Sequence, residues 1–408
     1  MINLPNIVKW LTGAIIVTYP LTNLGIHFGY FPISIPAFLL YLLSICLLGY
    51  LKSENFVTLI VFVACVLYFL ATSIYRWPLS WALNPVLAFS MISLGVIIYE
   101  KKISESFIIK SLILSVSLAL FASLIQIALY SSGLDFSNIF GDLVFNKALE
   151  DQRFSGLRLK GLFIEPAHQG IFGSSIVFIA LNFFAGRKNN NKIVLFFLFS
   201  GTFLSIASFS LSGFFLLFSV VLCYIILNKG VFIKAFILSL LGSLVIVILS
   251  FSPVMQEIVI ERFISASENV TTFDLRNHES SRLHSYLLFY EYAKDKGPIG
   301  FFFGEGYGNY EYWLINNFSG SFTSFAEGKV ANMFVAIFIG AGIFGVILFL
   351  FYIFCLLRIG IFQSIPIFWF LFTLFFVFGT LVEANLWASL IAIKYLNLQN
   401  QTVRHKRV

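Results

Sequence analysis

Long apolar segments without charged residues recur along this sequence, and they restrict its possible folds more than any other feature. A helix that crosses the hydrocarbon core of a bilayer needs about 20 mainly apolar residues. The segment 330–357, for example, contains no charged residue. Strands of outer-membrane barrels instead alternate polar and apolar residues. The pattern therefore predicts an all-α polytopic membrane protein and excludes a soluble globular enzyme.

Composition sets the expected number of membrane spans. Hydrophobic residues make up 59% of the 408 residues and charged residues only 11%, against roughly 25% charged residues in soluble domains. We predict about 12 transmembrane helices. The alternative is 11, because the region 361–396 forms either two short helices or one long broken helix. The predicted spans are 10–28, 31–51, 56–75, 80–99, 107–131, 166–186, 193–208, 212–228, 231–252, 330–357, 362–381 and 383–397.

The distribution of charged residues predicts the orientation in the membrane, because cytoplasmic loops are enriched in Lys and Arg. With the N-terminus in the cytoplasm, that side holds 15 of the 26 Lys and Arg residues and three of the 19 acidic residues. The opposite side holds 11 basic and 16 acidic residues. An even number of helices preserves this asymmetry and places both termini in the cytoplasm. Since the asymmetry accounts for the net charge of +7, that charge gives no reason to expect a nucleic acid partner.

Two long outer loops interrupt the membrane spans, and loops of this length are uncommon without a function. The larger loop has helical content, because apolar and aromatic residues recur through 278–296 and Gly297-Pro298 is a helix stop. We divide the chain into N-terminal helices, a first outer loop, central helices, a large outer loop, and C-terminal helices with a tail: 1–131, 132–165, 166–252, 253–329 and 330–408.

Metal and disulfide sites are not expected. All four cysteines lie inside apolar segments, so they provide neither a disulfide framework nor a CxxC metal site. No histidine or acidic spacing typical of a metal site occurs either. We therefore predict no metal and no cofactor.

The first candidate for chemistry is the stretch RFSGLRLKGLFIEPAHQG, 153–170, where the first outer loop re-enters the membrane. Arg153, Arg158 and Lys160 precede Glu165, which stands directly before a proline at the expected start of a helix. In a structural interpretation, Glu165 only complements the helix dipole. In a functional interpretation, it is a carboxylate at membrane depth, which is a functional candidate by default. His168 follows one turn later, and we favour a polar interfacial role for it over a catalytic one.

The second candidate is the helix predicted over 278–296. His278, Arg282 and Tyr286 are spaced four apart, so they share one face. Arg276 and His284 are close in sequence. The planar guanidinium group suits bidentate binding of phosphate or carboxylate, so this face is a candidate anion-binding surface. The alternative is a polar face that meets water.

The third candidate is Asn332, at the outer end of a predicted span that also contains Gly340, Gly342 and Gly345. The glycines permit close helix packing. Asn332 either takes part in a site or simply caps its helix or hydrogen-bonds a neighbouring one.

The order of these features resembles the Wzy-type O-antigen polymerases and the related O-antigen ligases, over roughly residues 100–350. Members of this superfamily of GT-C-type membrane glycosyltransferases show an Arg-x-x-Gly-x-x-x-Glu-Pro-like element after an outer loop, here Arg158, Gly161, Glu165 and Pro166. They then show an Arg before a Gly-rich turn; here these are Arg282 and the residues 298–300 and 304–308. The next helix in the family opens with Asn and carries a Gly-x-x-Gly pattern, which correspond here to Asn332 and to Gly342 with Gly345.

The resemblance implies a GT-C-like fold in the bacterial inner membrane, with the active site facing the periplasm. The implied reaction transfers a glycan chain from undecaprenyl pyrophosphate onto a lipid-linked repeat unit. It implies Glu165, Arg158 and Arg282 as catalytic residues, with substrate contacts from Arg153, Arg276, His278, His284, Tyr286 and Asn332. The implied partners are the lipid-linked oligosaccharide, the bilayer, a Wzz-type chain-length regulator and a flippase.

Two alternatives stay open at this point. The ligases commonly carry His before the Asn, where this chain has Ala331, and the Glu165-Pro166 element is more typical of polymerases. A lipid-linked oligosaccharide flippase or transporter would predict charged residues near helix midpoints and repeat symmetry. Here charge is concentrated in two asymmetric outer loops, which favours an interfacial enzyme.

Overall fold

The computed structural model describes residues 4–28, 31–48, 56–74, 103–134, 159–163, 165–184, 191–227, 287–306, 310–318, 332–357 and 365–377, with residues 390 and 393. This part of the chain is mostly helical, as predicted. Its helices are α1 Leu4–Thr18, α2 Ile35–Leu48, α3 Phe56–Ile74, α4 Glu105–Ser131, α5 Pro166–Ile179, α6 Asn191–Ala207, α7 Leu211–Leu227, α8 Leu287–Phe303, α9 Tyr310–Phe318, α10 Met333–Leu357 and α11 Ile365–Val377.

The first predicted span, 10–28, is wrong as a single helix. Helix α1 ends at Thr18, and a 3-10 turn over Tyr19–Leu21 follows, with Pro20 near its start. Proline has no N–H to continue the α-helical hydrogen-bond ladder. A two-stranded antiparallel hairpin comes next, β1 Gly25–Phe28 and β2 Phe31–Ser34. The described part is therefore not purely α-helical, and the second predicted span begins with a strand.

Other helices lie close to their predicted positions. Helices α3, α4, α6 and α7 begin and end within two residues of the predicted spans. The separation of α6 from α7 is confirmed, because Ser208 and Phe209 form a turn in which Phe209 adopts a φ of 45°. The helix stop at Gly297 is also confirmed: its φ of 62° interrupts α8 before Pro298.

The apolar outer surfaces of the helices agree with a membrane environment. Ser106–Ser131 and Met333–Cys355 are the two described segments that are long and apolar enough to cross a bilayer. Large apolar side chains such as Phe121, Phe199 and Phe218 are more than half exposed. Exposed large apolar side chains in such number are unfavourable in water. The number of spans depends on residues outside the described ranges.

Helices α5, α6 and α7 alternate in direction, as successive membrane spans do. The Gln169 side-chain amide, at the start of α5, donates to the carbonyl of Leu204 near the end of α6 at 3.4 Å. The Ser174 hydroxyl donates to the carbonyl of Gly213 near the start of α7 at 2.9 Å. Helix α5 is therefore antiparallel to α6 and parallel to α7.

Helix α10 packs against α3 and α11. The Tyr68 hydroxyl donates to the Ala341 carbonyl at 2.7 Å, and the Cys65 thiol donates to the Leu348 carbonyl at 3.4 Å. Residues later in α3 thus contact residues earlier in α10, which makes the pair antiparallel. Helices α10 and α11 also run antiparallel, with aromatic contacts Phe334–Phe375 at one end and Phe354–Phe368 at the other.

Helix α10 is broken at Gly342, whose φ of 65° and ψ of −173° are not helical. The carbonyls just before the break accept hydrogen bonds from outside the helix: Ile339 from the Glu305 N–H at 2.8 Å and Gly340 from the Gly306 N–H at 2.7 Å. The break is therefore compensated by the segment that follows α8. The glycine pattern of the sequence predicts close helix packing at Gly342 but does not predict a break.

Candidate functional site

A buried turn, 159–163, leads the chain into α5 and is attached to three other elements. The Leu159 N–H donates to the Ala207 carbonyl at the end of α6 at 3.2 Å. The side-chain oxygen of Gln126 on α4 accepts the N–H groups of Lys160 at 3.0 Å and Gly161 at 2.8 Å. The Asn23 N–H donates to the Leu162 carbonyl at 2.9 Å. The turn therefore has little freedom relative to α4 and α6.

Gly161 occupies the one position in this turn with a left-handed backbone, at a φ of 51°. A side chain there would also lie 3.4 Å from the side chains of Ala122, Ser123 and Gln169. Glycine meets both conditions at no steric cost. Its neighbour Lys160 is only 3% exposed, which brings a cationic side chain into the packed end of the bundle.

Glu165 occupies the N-cap position of α5, with Pro166 beginning the helix. Its carbonyl accepts the N–H of His168 at 3.1 Å, but its side chain makes no capping hydrogen bond. The Glu165 residue is exposed, and the structure gives its carboxylate no hydrogen bond or ion pair with any other described residue. Capping therefore does not account for a carboxylate at this position.

Small residues hold α5 tightly against α6 and α7. A Cβ atom at Gly173 would lie 2.5 Å from the carbonyl oxygen of Gly201, and one at Gly170 would lie 2.9 Å from Cα of Gly213. The hydroxyls of Ser174 and Ser205 are 3.0 Å apart in the same contact. This packing fixes the start of α5, and with it the position of Glu165.

Two glutamines contribute to this region without having been selected from the sequence. Gln126 holds the turn, and the wholly buried Gln169 accepts a hydrogen bond from Ser123 at 3.2 Å. A signal was present: polar side chains inside apolar spans are rare and must find partners. Nothing in the sequence alone, however, identifies residues 160 and 161 as the partners of Gln126.

Asn332 is buried at the start of α10, where its side-chain oxygen accepts the N–H of Val335 at 3.3 Å. This is the geometry of an N-cap. The side-chain oxygen of Asn332 is thus used in capping the helix. The predicted substrate contact of Asn332 stays a prediction.

The remaining predicted site residues lie outside the described ranges. They are Arg153, Arg158, Arg276, Arg282, His278, His284 and Tyr286.

Another carboxylate, with a nearly buried side chain, lies at the broken helix. The side chain of Glu305 is 7% exposed and pairs with Lys296, with Oε1 and Nζ 3.0 Å apart. Lys296 also lies 3.7 Å from Asp295, whose carboxylate accepts the indole N–H of Trp313 at 2.8 Å. The family resemblance indicates a Gly-rich turn over 304–308 and does not single out Glu305. The ion pair between Lys296 and Glu305 links the charged first half of α8 to residues 305 and 306, which bond to α10.

Among the described residues, no group of three His, Cys, Asp or Glu side chains is placed to hold a metal ion. The described part of the site contains the exposed Glu165 at a helix N-terminus and the buried Lys160 in the preceding turn.

Comparison with known proteins adds no assignment. No protein-family model matches the chain, and no curated protein sequence matches it.

Proposed function

We propose that this chain is a surface-polysaccharide polymerase of the bacterial inner membrane. It transfers a glycan chain from undecaprenyl pyrophosphate onto the non-reducing end of a lipid-linked repeat unit at the periplasmic face. The proposal rests on the order of short motifs in the sequence and on one structural observation. That observation is the exposed Glu165 carboxylate, which is fixed at the start of α5 but is not used to cap it.

The position of Glu165 suits a general base. Its backbone is held between a turn bonded to Gln126 and a helix packed on glycines, while its carboxylate is exposed. A general base must be positioned before it can remove a proton efficiently. A carboxylate that capped the helix would accept the N–H of Ala167 or His168, and the Glu165 side chain makes no such bond.

In the proposed reaction, the acceptor sugar hydroxyl attacks the anomeric carbon of the donor glycan. Glu165 takes the hydroxyl proton as the new C–O bond forms. The bond between the anomeric carbon and the pyrophosphate oxygen breaks, and undecaprenyl pyrophosphate leaves with the electron pair. Arg158 and Arg282 stabilise the negative charge of the leaving group.

The other predicted residues take binding roles in this proposal. Arg153 and Arg276 assist with the pyrophosphate, because guanidinium groups bind phosphate in a bidentate manner. His278, His284 and Tyr286 contact the sugars, and Asn332 contributes its side-chain nitrogen. The positive end of α5 adds favourable electrostatics for an anion near Glu165.

The decisive experiment is complementation of a deletion strain in the native host. The variants are Glu165→Gln, Arg158→Ala and Arg282→Ala, with Glu291→Gln as the matched control. Glu291 is an exposed carboxylate on α8 outside the candidate site. Glu165→Gln keeps the size and hydrogen-bonding capacity of the side chain but removes its basicity. Membrane levels of each variant are measured by immunoblot, and surface polysaccharide is separated on a silver-stained gel.

We expect the deletion and the three site variants to lose the polysaccharide ladder while retaining a single repeat unit on the lipid core, and Glu291→Gln to restore the ladder. Loss of every unit with accumulation of lipid-linked polymer would instead identify a ligase. Lipid-linked units trapped on the cytoplasmic side would identify a flippase. A normal ladder in well-expressed Glu165→Gln would exclude Glu165 as the base.

A further inference from the structure

The charge pattern of the chain changes abruptly at Gly297. Just before it, α8 carries Glu291, Lys294, Asp295 and Lys296, whereas no residue from 297 to 304 is charged. Four of the six residues from Pro298 to Phe303 are large and apolar, and all four are exposed: Ile299 at 76%, and Phe301, Phe302 and Phe303 at 38–49%. Exposure of four large apolar side chains to water within so short a segment would be unfavourable.

The end of this segment is attached well inside α10 rather than at its outer end. The N–H groups of Glu305 and Gly306 bond to the carbonyls of Ile339 and Gly340. Ile339 lies six residues into the helix, roughly 9 Å along its axis at 1.5 Å per residue. Since the hydrocarbon core is about 30 Å thick, a span that enters the core near Met333 places this contact at membrane depth.

The backbone of the segment is suited to that depth. Irregular backbone is tolerated in a membrane only where its polar groups are paired and covered by protein. The Gly304 N–H donates to the Gly300 carbonyl at 2.8 Å, and the next two N–H groups donate to α10. The Glu305 carboxylate is neutralised by Lys296 at 3.0 Å, and Lys296 itself stays partly exposed. A long lysine side chain can reach from such depth back towards water.

The exposed aromatic residues continue a stripe on α10. Phe344, Ile347 and Phe351 recur at helical spacing on one face, and each is 44–57% exposed. The Phe302 ring stacks on that of Phe344 with centroids 5.3 Å apart, and the Phe303 ring lies 5.7 Å from it. The exposed apolar face of α10 therefore extends onto the segment through these ring contacts.

We propose that residues 298–306 form a re-entrant segment, in which Ile299 and Phe301–Phe303 contact the acyl chains of the leaflet where α10 begins. The segment fills the break at Gly342 from one side and meets lipid on the other. This assigns to the bilayer a part of the chain that the sequence pattern places in the large outer loop, and it applies whatever reaction the protein catalyses.

Quenching by brominated lipid tests the proposal directly. Single cysteines are introduced into the full chain, after Cys46, Cys65, Cys223 and Cys355 are changed to Ala, and are labelled with bimane. The test positions are Ile299→Cys and Phe303→Cys. Ile347→Cys on α10 is the lipid-facing reference, and Lys294→Cys on the charged half of α8 is the water-facing reference. Each protein is reconstituted in phosphatidylcholine with or without acyl-chain bromine, and monodispersity is checked first.

We expect the loss of fluorescence at Ile299→Cys and Phe303→Cys to be close to that at Ile347→Cys, while Lys294→Cys loses little. The proposal would be overturned if the quenching at both test positions were closer to that of Lys294→Cys than to that of Ile347→Cys. The two test positions are four residues apart and therefore share one face of the short helix. Where one of the two variants unfolds below the wild-type temperature, the other position decides the outcome.

Discussion

Gly304 lies so close to the backbone of Gly342 that a side chain has no room at position 304. A side chain at Gly342 would in turn meet the backbone of Phe302 and Phe303. A Cβ atom at Gly304 would lie 2.5 Å from the Ala341 nitrogen and 2.6 Å from the Gly342 nitrogen. Both glycines also have left-handed backbones, at φ values of 76° and 65°. This contact joins the segment after α8 to the break in α10, so it should be among the least tolerant positions of the molecule.

Gly304→Ala is expected to destabilise the protein strongly. The left-handed backbone costs about 1 kcal/mol for a non-glycine residue, and the clash with α10 adds roughly 1–3 kcal/mol. Gly133→Ala is the matched control, because Gly133 has a φ of 70° but no described atom within 4 Å of the place where a Cβ atom would lie. Thermal unfolding of both purified variants is monitored by fluorescence-detected size-exclusion chromatography. The difference between their unfolding temperatures separates the cost of the clash from the cost of the left-handed backbone. Equal shifts in the two variants would contradict the close contact.

Tyr68→Phe is expected to lower stability by about 1 kcal/mol. The Tyr68 hydroxyl donates to the Ala341 carbonyl at 2.7 Å beside the helix break, and phenylalanine keeps the ring but leaves that carbonyl without this donor. Tyr312→Phe is the control, since Tyr312 is half exposed on α9. Unfolding titrations in mixed micelles should show a lower midpoint for Tyr68→Phe alone. The same midpoint in both variants would mean that the hydroxyl does not support the break.

Gln126→Met should loosen the turn that precedes Glu165. The Gln126 oxygen accepts two buried N–H groups, from Lys160 and Gly161, and each buried donor left unpaired costs about 1–3 kcal/mol. Gln126→Glu keeps an acceptor of similar size in the same place and should retain more stability. Hydrogen exchange measured by mass spectrometry on peptides that cover 159–163 provides the readout. Protection that is unchanged in Gln126→Met would show that the turn holds without Gln126.

Lys296 and Glu305 should be energetically coupled. Their charged atoms are 3.0 Å apart, and the Glu305 side chain is nearly buried, so removal of one partner leaves the other charge poorly compensated. The double-mutant cycle of Lys296→Met and Glu305→Gln should give a coupling of about 1–3 kcal/mol in thermal or detergent unfolding. A second cycle that pairs Glu305→Gln with Lys294→Met, at an exposed lysine, should give almost none. Similar values in the two cycles would argue against the ion pair.

Local sequence determined where several helices begin and end. The apolar segments place α3, α4, α6 and α7 to within two residues, because spans of this hydrophobicity are stable as helices wherever lipid or protein covers them. Gly297-Pro298 ends the first half of α8, and Pro166 begins α5, through backbone constraints that act within a few residues. The first predicted span fails for the same kind of reason, since Pro20 ends the α-helix inside an apolar segment.

The tertiary structure decided what the polar residues within these spans do. Sequence alone indicates that Gln126 needs a partner and that Gly342 permits close packing, but the partners lie 34 and 38 residues away, at Lys160 and Gly304. Glycine in an apolar helix is compatible with both a straight packed helix and a break. The break occurs because the N–H groups of Glu305 and Gly306 replace the lost helical hydrogen bonds. Hydrogen bonds between distant segments depend on how the helices pack, and no local pattern encodes that packing.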